Sequence, residues 1–172
     1  MTSATRALAL VMVTAWLSAP VATAAFVPDF NGVWLVVQLP AFMQGLAKSG
    51  QALKDVEVQV TIKQSETIIS STQRAIDKKT GKSVPPEFPT TYWYPDGRDI
   101  RSVQPDRTVR STRTTWEGET LVIRTVTIKN GQAIQTYTSR WSLNKSGMLE
   151  NSSTIEQPKS RPASDLMILK RK

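Results

Sequence analysis

Histidine and cysteine are both absent from the 172 residues. Without histidine the chain lacks the commonest general base, proton shuttle and zinc ligand. Without cysteine as well, Ser-His-Asp and Cys-His catalysis are excluded, and so is a transition-metal site built on those ligands. There can be no disulfide and no lipid attached through cysteine. Many small secreted domains lean on disulfides; this chain must rely on its core, and it is long enough to bury one. Acidic residues are also scarce, at 14 against 22 Lys and Arg, a formal charge of +8. The basic residues are scattered, apart from Lys170-Arg171-Lys172 at the end.

Charge is nearly missing from the N-terminus too, where Arg6 is the only charged residue before Asp29. The apolar run from Ala7 to Leu17 is followed by Ala22-Thr23-Ala24. This is the pattern of a signal peptide with small residues at its cleavage site. The run falls short of the roughly 20 residues that span a bilayer. Residues 1–24 are therefore expected to be a cleaved leader and residues 25–172 a single exported domain, periplasmic or secreted. An exported basic protein has anionic envelope surfaces as further partners. Export removes nucleic acid as the usual partner, and no integral membrane segment is expected in the mature chain.

What is present reads as strands and turns. Gly32 to Leu39 is apolar and β-rich. From Pro40 to about Lys54 the period changes, with Phe42, Met43, Leu46 and Leu53 at mostly helical spacing and Pro40 suited to a first turn. Val56, Val58, Val60 and Ile62 then alternate with polar residues, the mark of a strand with one buried face. Further strands are expected over Thr67–Arg74, Thr90–Tyr94, Arg98–Val103, Thr108–Trp116, Thr120–Lys129, Gln132–Leu143, Met148–Gln157 and Ser164–Lys170. A polar, Pro-rich loop fills Asp77–Pro89. Asp96-Gly97 and Asn130-Gly131 are hairpin signals. The fold class is all-β: an antiparallel up-and-down β-barrel of about ten strands, with a short helical segment after the first. Closure would remove the two edges of so long a meander; a sandwich is the alternative.

Two short stretches carry a resemblance. Gly32-x-Trp34, opening the first strand, resembles the lipocalin and wider calycin signature. Trp116-Glu117-Gly118-Glu119-Thr120-Leu121-Val122-Ile123 resembles a hairpin of exported bacterial lipocalin-like domains. The order of strand, helical segment and meander is similar to the intracellular fatty-acid-binding branch of that group. The resemblance implies a barrel whose lined cavity holds a small hydrophobic molecule. It implies that Gly32 and Trp34 are structural, Trp34 closing the base beneath a basic side chain, with Arg140, Lys170 and Arg171 as the choices. The fatty-acid-binding branch also holds a carboxylate with an Arg-x-Tyr pair on a late strand. That pair is missing here: Tyr137 and Arg140 are the nearest equivalent, and alternation puts them on opposite faces.

Several candidate ligand residues remain. Arg110, Arg124 and Arg140 lie on three consecutive strands; inward, they would form a cationic cluster for a carboxylate or phosphate, and outward, a solvated face. Tyr92 and Tyr94 flank Trp93 on the opposite face, either at a barrel mouth or as packing. The helical apolar residues are either a lid or a plug. Asp96, Asp99 and Asp106 read as turn residues, so no metal is expected, and no cofactor. The expected function is a non-enzymatic, monomeric barrel binding a small hydrophobic or amphipathic molecule. The alternatives are a side-chain-filled interaction module on the envelope and a cyclase- or isomerase-like cavity enzyme.

Overall fold

The computed structural model describes residues 26–40, 55–85 and 88–172. Eleven strands form one antiparallel sheet: β1 (Gly32–Gln38), β2 (Val56–Gln64), β3 (Ile69–Asp77), β4 (Ser83–Val84), β5 (Thr91–Trp93), β6 (Asp96–Val103), β7 (Val109–Glu117), β8 (Thr120–Lys129), β9 (Gln132–Leu143), β10 (Leu149–Glu156) and β11 (Ala163–Arg171). The all-β expectation holds. The helical stretch expected from Pro40 to about Lys54 lies, beyond Pro40 itself, outside the described residues.

Sheet order is β4-β3-β2-β1-β11-β10-β9-β8-β7-β6, with β5 also on β3. The β1–β11 ladder joins the two ends of the chain, with Trp34 opposite Arg171 and Val36 opposite Leu169. Asn130 and Gly131 take φ of 51° and 78°, the left-handed pair of a type I′ turn between β8 and β9.

A closed barrel was expected, and the ladder does not close among the described residues. The break falls between β5 and β6, at Asp96-Gly97. That pair is not a hairpin turn between β5 and β6 but a bulge inside β6, where the register shifts between Asp96 opposite Thr115 and Asp99 opposite Arg113. Gly97 takes φ +79° there, which a side chain rarely tolerates. Asp96 Oδ1 accepts the Arg98 N–H at 3.0 Å, so the Asp-Gly pair satisfies itself within the strand. β5 instead lies on β3, Ile69 opposite Trp93, and β4 lies further along the same edge, Ala75 opposite Val84. β4 was not expected, because two residues in a Pro-rich loop carry no periodic signal.

Cross-strand partners share a face, so the registers sort every residue. The interior receives Trp34, Val60, Ile62, Ile69, Leu121, Ile123, Trp141, Leu149 and Leu169, all buried in one cluster with Phe30. The Trp93 and Trp141 rings, from β5 and β9, meet at 5.5 Å, so the curled sheet brings its distant parts together by side chains. Among the described residues no helix is long and apolar enough to cross a membrane.

Candidate functional site

The base of the curled sheet is filled. Gly32 starts β1 at φ +132°, a conformation that favours glycine, and a Cβ there would stand 4.0 Å from Arg171 Nε. Trp34 is fully buried and donates from Nε1 to the Phe30 carbonyl at 2.8 Å. The Phe30 ring meets Trp116 at 5.5 Å. Gln64 ties the lead-in down: its Oε1 accepts the Phe30 N–H and its Nε2 donates to the Pro28 carbonyl, both at 2.9 Å. Over Trp34 lies the Arg171 guanidinium, 4.7 Å from the ring centre, donating to the Asp29 carbonyl at 2.8 Å. Arg171 is thus the basic partner that the sequence left open among three. Asp29 itself is held below the usual carboxylate range, first by the Asn31 backbone N–H and side-chain amide and then by the Arg171 charge.

Towards the other end the interior wall turns polar. Arg110, Thr112 and Thr114 on β7 face Thr127, Thr125 and Ile123 on β8. Thr125 and Thr127 face Tyr137 and Gln135 on β9. The Thr112 and Thr125 hydroxyls are 2.9 Å apart. Deeper in, Trp141 Nε1 donates to Ser139 Oγ at 2.8 Å, and Ser139 donates to Asn151 Oδ1 at 2.6 Å. Among the described residues no buried side-chain polar atom lacks a partner.

Two cavities open on this wall. One of about 280 Å³ runs along the break between β5 and β6, from Trp93 and Tyr94 past Ile100 and Thr112 to Arg110. The other, about 260 Å³, is bounded by Arg110, Thr125, Thr127, Gln135 and Tyr137. They share Arg110 and Thr125.

The three arginines do not form one cluster. Arg110 and Tyr137 line the same cavity from β7 and β9, on either side of β8. Arg124 is opposite Arg113 and Arg140 is opposite Val122, all on the outer face. Arg140 pairs there with Glu117 at 2.7 Å. The inward cluster fails because β8 carries apolar residues on both faces, and the apolar face with Leu121 and Ile123 goes inside. Tyr92 and Tyr94 both border the first cavity, with Tyr92 58% exposed. Tyr94 is covered by Arg98 at 4.9 Å, and Arg98 is paired with Asp96. That pairing, chiefly the side-chain hydrogen bond, lowers Asp96 and raises Arg98. Sequence reasoning missed the threonine wall of Thr112, Thr114, Thr125 and Thr127, because β8 is half apolar on both faces and its alternation does not say which face turns inward.

No protein-family model matches this chain, and no curated protein does. Solved structures match in fold. One is an apo lipid binding protein 8 from Caenorhabditis elegans, 16% identical, with a TM-score of 0.55 over 86% of this chain and 100% of that one. Another is the REP1-NXSQ fatty acid transporter, 12% identical, with a TM-score of 0.51 over 84% and 96%. The fold is thus like that of these two proteins.

Proposed function

We propose that this chain is an exported, non-enzymatic, monomeric carrier that binds a small hydrophobic or amphipathic molecule in its upper interior. One observation carries the reading: Arg110 and Tyr137, both at interior-facing positions, border one cavity of about 260 Å³, and Arg110 also borders the adjoining cavity of about 280 Å³. The two similar structures are of a lipid binding protein and a fatty acid transporter, which supports the same class of ligand. Binding energy would come from apolar ligand surface leaving water, about 25 cal/mol per Å² before entropic costs. Arg110 and Tyr137 would set orientation. Gly32 and Trp34 serve the base, not the ligand. The leader assigns the protein to the periplasm or the exterior, and the chain's chemistry calls for no cofactor.

The test is mass spectrometry of protein purified from its own cells, first native and then solvent-extracted. A small molecule released on denaturation and able to rebind is the expected result. A clean apo mass, with tryptophan fluorescence unmoved by lipid extract, would rule the carrier out.

The outer face favours a second reading. Arg113 and Arg124 sit directly opposite each other, and among the described residues only Arg113 of the two has an acidic partner, Asp99 at 3.3 Å. Like charges in register repel, and an anionic envelope surface would relieve that. Binding to anionic vesicles that vanishes with added salt, and with Arg124→Gln, is its signature.

A further inference from the structure

We infer that the interior site takes a compact anionic amphiphile, with a ring-sized apolar body and hydrogen-bonding substituents, and rejects long acyl chains. This rests on the carrier reading above and narrows its ligand.

Space is the first argument. An acyl chain needs a long apolar channel, and the apolar part of the interior is filled by side chains. Leu121, Leu149 and Leu169 are fully buried, and the Trp93–Trp141 contact closes the way down. The two cavities above, about 280 and 260 Å³, each fall just below the roughly 300–1,000 Å³ typical of small-molecule sites.

Wall chemistry is the second. Methylenes laid along Thr127, Gln135 and Tyr137 would strip water from hydroxyls and an amide and give no hydrogen bond in return. A ligand carrying its own hydroxyl or carbonyl groups answers them. Trp93 at the other end of the first cavity offers aromatic surface to a ring.

Charge is the third. The cavities hold two cations. Arg98 is already engaged by Asp96 and Tyr94. Arg110 makes no ion pair among the described residues, and it lies where the cavities meet. Its guanidinium fork suits one carboxylate.

The experiment is calorimetric titration of the full mature protein. The ligands are 4-hydroxybenzoate, 3-(4-hydroxyphenyl)propanoate and 6-hydroxy-2-naphthoate, their amides, and palmitate below its micelle concentration. At least one hydroxylated acid should bind tenfold or more tighter than palmitate and than its own amide. Arg110→Gln, checked for folding by circular dichroism, should remove the acid's advantage over the amide. Palmitate binding with the hydroxylated acids silent overturns the inference and leaves the carrier reading standing. Acid binding untouched by Arg110→Gln overturns the anion assignment. If nothing binds, the molecule extracted from native protein decides. A compact acid supports the inference, a long acyl chain overturns it alone, and an empty protein overturns the carrier reading with it.

Discussion

Arg171, on the last strand, lies 4.7 Å over the ring of Trp34, on the first, and its guanidinium donates to the Asp29 carbonyl. The contact fastens both ends of the described chain across the β1–β11 ladder. Trp34→Ala removes a fully buried ring and should cost about 3–5 kcal/mol. Arg171→Met keeps the apolar stem and should cost about 1–2 kcal/mol for the cation–π contact and the hydrogen bond. Urea denaturation of both and of the double variant checks this. Strictly additive losses would mean the stacking contributes nothing.

Interior and exterior arginines should separate in binding. Arg110→Gln is expected to weaken an acidic ligand about tenfold or more, the worth of a charge-assisted hydrogen bond. Arg124→Gln and Arg140→Gln, on the outer face, should leave affinity within about twofold, since exposed charges outside a site count for little. Titration of one acidic ligand against all three variants is the measurement.

Glycine at position 32 is a conformational requirement. At φ +132° a side chain is strained, and Gly32→Ala should cost about 1–3 kcal/mol although the nearest atom leaves room for a Cβ. Thermal unfolding read at 280 nm or by circular dichroism reports it. An unchanged midpoint would mean the strand start adjusts freely.

Stability should be flat across mildly acidic to neutral pH and fall in acid. No histidine is present to titrate in that window. Asp29, Asp77, Asp96 and Asp106 are all held below the ordinary carboxylate value. For Asp77 the Thr80 backbone N–H leads, for Asp96 the Arg98 side chain, and for Asp106 the Thr108 hydroxyl. A carboxyl whose folded pKa is depressed stabilises the fold above its unfolded value, about 3.9. That stability is lost as pH falls through the folded value. Urea midpoints should therefore hold level from about pH 7 to 5 and drop below about pH 4. These groups are exposed, so each contribution is small.

Export leaves a mass signature. Protein recovered from the periplasm or medium should begin at Ala25, lacking residues 1–24. Intact mass spectrometry reads this directly, and an uncleaved chain retained in the cytoplasm would remove the exported reading.

The strand pattern was legible because alternation is a local property. Val56 to Ile62 announces a strand with one buried face, and Asn130-Gly131 announces a type I′ turn, whatever lies around them. Asp96-Gly97 misled because left-handed glycine serves a bulge as readily as a hairpin. Only the pairing of β5 with β3 distinguishes the two.

The facing of Arg124 was hidden for a related reason. Val122, Val126 and Ile128 make the outer face of β8 nearly as apolar as its inner one, so period-2 spacing gives no direction. The cross-strand neighbours Trp116 and Trp141, both against Leu121, settle it.

Composition and local pattern therefore determined by themselves that this is an all-β chain without His or Cys chemistry, punctuated by specific turns. Tertiary structure decided that the sheet stays unlaced between β5 and β6, that Arg171 caps Trp34, and that Arg110 borders one cavity with Tyr137. Those outcomes depend on register between strands far apart in sequence. A single-residue slip in register would send every side chain to the opposite face.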